Sequence, residues 1–211
     1  RDFVGSRGLG DVYKRQLGAK KMANKDAPFG LRLYRSGSGS SLANMQNKYR
    51  IANNYGTAIF QGDMVQAVTG GGVERYADGG SGFILGVFNG CRFTDPTTGK
   101  ETFSNHYPAS TAAADIEAFI IDSPHAVFEI QADEAMPVAD LFGNFDIFDN
   151  SPVGDTTSGI SRCELDVGTG ATTATLPLKA IDISTDPENS DVSSANTNVI
   201  VMINNHLFSA G

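Results

Sequence analysis

The sequence predicts a mainly β fold, either an antiparallel sandwich or a small barrel, with a hairpin meander, one short helical turn and a flexible N-terminal arm. Three observations support this prediction. Short β-prone runs alternate with Gly-, Asn- and Asp-rich turn signals along most of the 211 residues. No stretch longer than two helical turns has an apolar repeat of helical period. Finally, 40% of the residues are hydrophobic and 13 are Phe, which is enough apolar bulk for a packed core.

The hairpin meander is predicted between residues 73 and 103. Asp78-Gly79-Gly80 and Asn89-Gly90 adopt positive φ angles at little cost, so each favours a tight turn between antiparallel strands. Residues 95–99 (DPTTG) give a further turn signal. The four predicted strands are 73–77, 83–88, 91–94 and 101–103. Because they follow one another with only tight turns between them, an antiparallel meander is expected.

Further strands are predicted on both sides of the meander. Residues 58–60 and 64–68 are predicted to pair around Gln61-Gly62-Asp63, and residues 118–121 and 127–131 around a turn at 122–125. Residues 136–143 predict a single helical turn, since Pro137 suits its first position and Gly143 the position after its end. The last predicted strands are 160–166, 175–183 and 199–203. In the second of these the apolar positions change parity, which indicates a bulge, and Pro177 indicates an edge position.

Two runs, at residues 83–88 and 199–203, are apolar at consecutive positions. A strand with one solvated face would alternate between apolar and polar residues, so both runs indicate burial on both sides. Burial in a central strand and burial against another subunit both satisfy this pattern, because periodicity cannot separate them. Neither run is long enough to cross a bilayer, and no membrane partner is expected.

The composition divides the chain into three parts. Residues 1–16 (RDFVGSRGLGDVYKRQ) resemble translated sequencing-adapter read-through, and Met22 resembles a natural start. Residues 1–21 are therefore expected to be a non-native or disordered leader. Residues 22–50 are expected to form an N-terminal arm and linker with a flexible joint at 36–41 (SGSGSS). Residues 51–211 are expected to form the β-rich domain.

The formal net charge of −8 is unevenly distributed. Residues 101–211 carry 2 basic and 17 acidic side chains, or −15, whereas residues 22–100 carry 8 basic and 5 acidic side chains, or +3. An acidic body repels phosphate groups, so nucleic acid is not expected as a partner. The mildly basic front either contacts an acidic protein surface or is a solvated strand face.

The residue types that carry chemistry do not form a recognisable motif. Gly-x-Ser-x-Gly on a strand-to-helix turn is absent, and residues 97–102 (TTGKET) lack two defining positions of a phosphate loop. The acidic stretches at 140–155 and 182–191 depart from calcium-loop spacing, and solvated turns explain them better. Cys91 and Cys163 are expected to be buried free thiols. The sequence therefore predicts no catalytic residue, no metal site and no cofactor.

Seven short blocks resemble, in their order, a class of small structural proteins of tailed bacteriophages that is abundant in marine samples. The blocks are residues 23–32 (ANKDAPFGLR), 62–65 (GDMV), 82–88 (GFILGVF), 127–133 (VFEIQAD), 143–146 (GNFD), 171–176 (ATTATL) and 203–206 (INNH). Within that class the chain is similar to capsid decoration, or cement, proteins.

The resemblance implies a β-rich virion protein that binds the assembled capsid shell and stabilises it. The implied partner is the major capsid protein, and the implied assembly is a homo-oligomer, with a trimer favoured. The implied location is the capsid surface of the virion, after synthesis in the cytoplasm of the host bacterium. No enzymatic activity is implied.

The N-terminal arm suits such a role because it can supply a strand to a neighbour's sheet edge. The residues predicted to bind a partner in this way are Phe29, Leu31, Leu33 and Tyr34, with Arg32 and Arg35 reaching acidic groups. The alternative is that this segment is the first strand of its own sheet, since added and native strands share one pattern.

Two other functions remain open from the sequence. The first is another virion component, such as a head-fibre base, a head–tail joint or a tail-tube subunit. The second is a carbohydrate-binding or hydrolytic β-domain for host attachment. The absence of Trp and the presence of only six Tyr argue against the aromatic platforms that sugar stacking needs.

Overall fold

A computed structural model describes residues 23–37 and 45–209. The expected leader at 1–21, with its adapter-like residues 1–16, lies outside the described residues, as does most of the expected joint at 36–41. Within the described ranges the chain forms fourteen strands and one 3-10 turn, which confirms the mainly β prediction. The strands are β1 (Arg32–Ser36), β2 (Gln46–Ile51), β3 (Ile59–Phe60), β4 (Met64–Val68), β5 (Gly72–Arg75), β6 (Ile84–Thr94), β7 (Glu101–Ser104), β8 (His106–Tyr107), β9 (Glu117–Ile121), β10 (Ala126–Gln131), β11 (Asn144–Phe148), β12 (Glu164–Ala171), β13 (Leu178–Ile183) and β14 (Asn198–Ile203), and the 3-10 turn is Val138–Asp140.

The first sheet has six strands in the order β1-β10-β14-β13-β11-β12, and all neighbours are antiparallel. Its far end curls back toward its middle, because Ala132, just after β10, forms a bridge with Leu165 in β12. The Asp133 N–H donates to the Leu165 carbonyl at 3.1 Å and continues this contact. Five strands of the sheet thus form an almost closed barrel, and β1 extends along the start of β10.

The second sheet is a closed five-stranded barrel, in which β4, β5, β2, β9 and β6 are paired in turn and β6 pairs back to β4. Only β2 and β5 run parallel; the other neighbours are antiparallel. Strand β7 is added to β6 outside the ring, and β3 and β8 form a separate two-stranded sheet. The barrel encloses its own apolar core, which includes Val65, Leu85, Phe88 and Ile120.

Strand β6 contributes side chains to both the core of the barrel and the core of the first sheet. Along β6, Leu85 and Phe88 belong to the barrel core, whereas Ile84 and Val87 pack into the core of the first sheet beside Phe128. Successive side chains of a strand point to opposite faces, and the β-bulge at Leu85 in the pairing with β4 shifts this alternation by one residue. Ile84 and Val87 therefore share one face although their positions differ in parity, and one strand supplies both cores. The apolar runs at 83–88 and 199–203 are therefore largely buried within the chain itself, as central strands.

The turn predicted at Asn89-Gly90 is a bulge instead of a hairpin. Strand β6, which is 11 residues long, runs through Asn89-Gly90 without a break. Its register with β9 shifts between Phe88 and Cys91. Gly90 has a φ of 131°, which glycine adopts without strain. The positive φ expected at this position is present, but it bends a strand rather than ending it. The next predicted turn, at 95–99, does connect an antiparallel pair, β6 and β7.

Three further predicted pairings were wrong, although the strands themselves are present. Strands β5 and β6, on either side of Asp78-Gly79-Gly80, do not pair with each other as the meander required: β5 pairs with β4 and β2, and β6 pairs with β4, β7 and β9. Strands β9 and β10, on either side of residues 122–125, belong to the barrel and to the first sheet respectively. Strands β3 and β4, on either side of residues 61–63, pair with β8 and with β5 and β6. In the last two cases the turn carries the chain from one sheet to another, and which sheet the next strand joins depends on long-range packing.

The remaining local predictions were met in part. The 3-10 turn lies within the predicted helical segment at 136–143. Strand β13 contains the predicted register shift, between Ala180 and Asp182. It lies between β14 and β11 rather than at an edge, and Pro177 precedes it without interrupting its ladder. The described residues include no helix with the length and apolarity that a membrane crossing requires.

Candidate interaction surface

The segment predicted to bind a partner lies at the edge of the first sheet. Strand β1 pairs with β10 on one side, and the described strands give it no neighbour on the other. A β-bulge at Tyr34 interrupts its register, a feature typical of edge strands. Of the six predicted residues, Leu31 is buried, Phe29 and Leu33 are half-buried, and Arg32, Tyr34 and Arg35 are exposed.

The expected arm and linker at 22–50 contains both β1 and most of β2, and each strand pairs within the chain. Strand β2 pairs with β9 and β5 in the barrel. Strand β1 pairs with β10, so residues 29–35 include the first strand of the chain's own sheet, the alternative that the sequence left open. An edge strand can in general accept a further strand, and no described strand pairs with this edge of β1.

Side-chain amides fix the backbone that leads into β1. The Asn24 amide donates to the carbonyls of Asp191 at 2.9 Å and Ala195 at 3.0 Å. The Gln131 side chain accepts from the Ala27 N–H at 2.9 Å and donates to the Lys25 carbonyl at 3.0 Å. These contacts hold residues 24–27 against the loops around β14 and the end of β10, so the start of the segment is ordered by its own chain.

A close backbone approach at Gly30 brings the segment between the two sheets. Gly30 has a φ of 67°, and a Cβ there would lie 2.7 Å from Ser161 Cβ and 2.8 Å from the Gly62 carbonyl. The Leu31 N–H donates to the same Gly62 carbonyl at 2.9 Å. Only glycine fits both the conformation and the space, which explains this residue in the predicted block at 23–32.

A groove runs beside this segment and is called the Phe29 groove below. Its apolar part has a volume of about 360 Å³, and its polar part has a volume of about 680 Å³. Phe29 and Ile160 line both parts, so the two parts adjoin at these residues. The apolar part is also lined by Leu31, Leu33, Val87, Phe88 and Ile121, and the polar part by Asp26, Asp133, Asp155, Arg162 and Glu164.

Arg32 stands at the apolar end of the groove and is already paired. Its guanidinium lies over the Phe29 ring, 4.6 Å from the centroid, and forms an ion pair with Glu129. Glu129 is buried and also accepts from the Ser184 hydroxyl at 2.7 Å. Arg32 therefore positions the Phe29 ring, whereas Tyr34 and Arg35 present exposed side chains farther along β1.

The polar part of the groove has four carboxylates and one guanidinium. Asp133 accepts from the Val167 N–H at 3.0 Å, and Glu164 accepts from the Asn150 amide, so both carboxylates are fixed in place. Burial raises the pKa of Glu164, and the nearby charges of Asp26 and Asp133 raise it further. Mutual repulsion among these carboxylates favours a cation beside them.

A buried ion-pair network joins the barrel to the first sheet beside the groove. The Arg75 side chain is 6% exposed and pairs with Asp63, at 3.1 Å from Nε to Oδ2, and with Asp149. Ser161, which lines the groove, donates to the other oxygen of Asp63 at 2.6 Å. The Asp63 carboxylate also accepts from the Phe60 N–H at 2.8 Å, so it is fully engaged.

This network is suited to structure rather than to nucleophilic chemistry. Ser161 is 0% exposed, and the Asp63 carboxylate that accepts its hydrogen bond is neutralised by Arg75. A hydroxyl that donates to an arginine-paired carboxylate has no strong base beside it. The three histidines lie apart from it: His106 stacks on Phe60, His206 is buried and accepts from the Phe208 N–H, and His125 is exposed.

The acidic stretches highlighted by the sequence do not converge on an ion site. Within the described residues, no three His, Cys, Asp or Glu side chains are placed to hold a metal ion. Asp155 binds its own turn, accepting from the Thr157 N–H at 2.8 Å. Cys91 and Cys163 are both free and buried, and burial raises the pKa of the Cys91 thiol to about 12. Neither thiol is a reactive nucleophile near neutral pH.

Two acidic side chains face each other across β11 and β12, and this pair predicts a pH-dependent stability. Asp146 lies directly opposite Asp166 in the ladder. Burial raises the pKa of Asp166, and Asp133 and Asp78 raise it further. A raised folded-state pKa means that the ionised carboxylate destabilises the folded protein, so stability rises as pH falls through that pKa.

Asp166→Asn is therefore expected to stabilise the protein by about 0.5 kcal/mol at pH 8, or about 1–2 °C in Tm. The gain should shrink toward about pH 4, because the parent carboxylate then becomes protonated. Thermal unfolding across this range measures the effect, with the exposed Asp182→Asn as the matched control. A gain that is equal at both ends of the range would contradict the interpretation.

The sequence missed the far wall of the groove. Gln61, Asp133, Ile160 and Glu164 come from separate turns and strands that only the packing of the two sheets brings together. The local signal was limited to glycine, at positions 30 and 62, which mark close backbone approaches. Comparisons of the chain with protein-family models, with curated proteins and with solved structures found no match.

Proposed function

We propose that the protein is a virion structural protein that binds the assembled shell of a tailed bacteriophage and stabilises it as a decoration protein. The observation that carries the proposal is the position of residues 29–35. The sequence predicts that this segment binds a partner, and the segment lies at a sheet edge beside the Phe29 groove. Exposed Tyr34 and Arg35 on β1 add side chains for a protein partner.

The physical role of such a protein follows from mass action. A protein that binds only the assembled shell lowers the free energy of that state and leaves free subunits unaffected. A rigid all-β body suits this task because its binding edge is held by two cores and by the ion-pair network at Arg75. The proposed partner is the major capsid protein, and the proposed assembly on the shell is a homo-oligomer, with a trimer favoured.

The test uses shells assembled from the major capsid protein of a tailed bacteriophage, which is the proposed partner. The protein is expected to co-sediment with mature shells and to raise their heat resistance, and Arg35→Glu should weaken co-sedimentation about tenfold. Lys100→Glu, which reverses another exposed cation in the β6–β7 turn, is the matched control.

Shells with unchanged heat resistance in the presence of the protein would contradict the proposed function. Labelling on intact virions separates the remaining virion roles, because a decoration protein covers the shell. Label confined to a single vertex or to the tail would instead support a head-fibre base, a joint or a tail-tube subunit.

A further inference from the structure

The Phe29 groove combines two chemistries in two adjoining depressions that share Phe29 and Ile160. Its apolar part is walled by the N-terminal segment on one side, through Leu31 and Leu33, and by barrel strands on the other, through Val87 and Ile121. A volume of about 360 Å³ is suited to one or two large apolar side chains. Leu33 remains half-buried, so this part opens to solvent beside β1.

The adjoining part of the groove is anionic. Asp26, Asp133, Asp155 and Glu164 contribute four carboxylates against the single guanidinium of Arg162. Residues 122–209 carry 14 acidic and 2 basic side chains, so the surrounding surface is also negative. A cationic segment is therefore attracted to the groove over a long range and held there at short range.

The edge of β1 at Arg32 and Leu33, which pairs with no described strand, borders the same groove. Arg32 and Leu33 lie both in β1 and in the lining of the apolar part. An extended segment placed along this edge can form main-chain hydrogen bonds while its alternate side chains reach the groove. The main-chain hydrogen bonds thus supply affinity for an extended segment, and the groove selects among segments by their side chains.

We infer that the Phe29 groove docks an extended, lysine- or arginine-rich segment of the capsid partner, with its apolar side chains beside Leu33 and its cations beside Asp26 and Asp133. The inference rests on the proposed function for the identity of the partner and names the chemistry that the partner must present. Nucleic acid is disfavoured as an occupant because the carboxylates repel phosphate groups.

The test measures binding of short fluorescent peptides to the whole chain by fluorescence anisotropy. The probe alternates lysine with leucine; one comparison peptide replaces lysine with glutamate, and another replaces leucine with serine. The lysine–leucine peptide is expected to bind at least about tenfold more tightly than either comparison peptide, and salt should weaken it.

Two variants locate the binding. The double variant Asp26→Asn, Asp133→Asn is expected to weaken the lysine–leucine peptide about tenfold, because it removes charge while the new amide oxygen at position 133 can still accept from the Val167 N–H. Ile160→Arg should abolish binding, since Ile160 is exposed and lines both parts of the groove. The double variant Asp182→Asn, Glu188→Gln is the matched control, because it removes two exposed carboxylates that do not line the groove.

Lysine–leucine binding that survives the groove variants, or equal binding of the glutamate peptide, would overturn the inference. Oligomers of the chain that dissociate with Ile160→Arg would also overturn it, by identifying a second copy as the occupant. Co-sedimentation with shells keeps the two proposals separable. Shell binding that persists in Ile160→Arg would refute the groove as the docking site and leave the decoration role intact.

Discussion

Arg75→Met is expected to destabilise the protein by about 3–5 kcal/mol, because it leaves a buried carboxylate without its counter-ion. Asp63 is 1% exposed, and the same guanidinium also reaches Asp149 between β11 and β12. Loss of the cation therefore weakens both the barrel and its junction with the first sheet. The free energy of unfolding in urea measures the effect.

The matched control is Arg92→Met. Arg92 also pairs with two carboxylates, Glu101 and Glu117, but at a solvent-accessible site where such pairs contribute little to stability. Adding Asp63→Asn to Arg75→Met should restore part of the lost stability, since the unpaired buried charge is then gone. Equal losses for Arg75→Met and Arg92→Met would show that the network at Arg75 does not join the two sheets.

Gly86→Ala is expected to cost about 3 kcal/mol, through a collision that the barrel cannot relieve. Gly86 lies in β6 opposite Val65 and beside β9. A Cβ there would collide with the Ile121 carbonyl and would lie 2.8 Å from Ile120 Cγ2. Because the first obstacle is backbone, β6 and β9 must separate, and the ring of five strands would open at that seam.

Thermal and urea unfolding of Gly86→Ala measure this cost. Gly56→Ala is the control, because a Cβ at Gly56 would meet no heavy atom within 4 Å and the φ of this residue is not positive. It is expected to leave stability unchanged or to raise it by about 0.5 kcal/mol, through the smaller entropy of the unfolded chain. A loss in Gly86→Ala no larger than in the control would mean that β6 and β9 are not in close contact.

The sequence predicted strands better than their partners. The runs at 64–68, 127–131 and 199–203 are strands because β-prone residues and nearby turn signals act locally. Pairing is a long-range property, and Asp122–Ser123 leads from the barrel into the first sheet rather than back along β9. Asn89-Gly90 shows the same limit, since its positive φ is compatible with both a hairpin turn and a bulge.

Half of the candidate site was visible in the sequence. Residues 29–35 were predicted to form a strand, and Phe29, Leu31 and Leu33 of that segment line the groove. The opposite wall, with Ile121 and Ile160, depends on how the barrel docks against the first sheet. No local sequence pattern indicates how the barrel packs against the first sheet, so Ile121 and Ile160 could be assigned to the groove only from the structure.

The division of β6 between two cores has a consequence for how the molecule comes apart. Displacing β6 from the barrel also removes Ile84 and Val87 from the core of the first sheet. Separating the barrel from the first sheet exposes the same two side chains. Neither half retains a complete interior without the other. The molecule is therefore a single cooperative unit, in which damage to either half is transmitted through one shared strand.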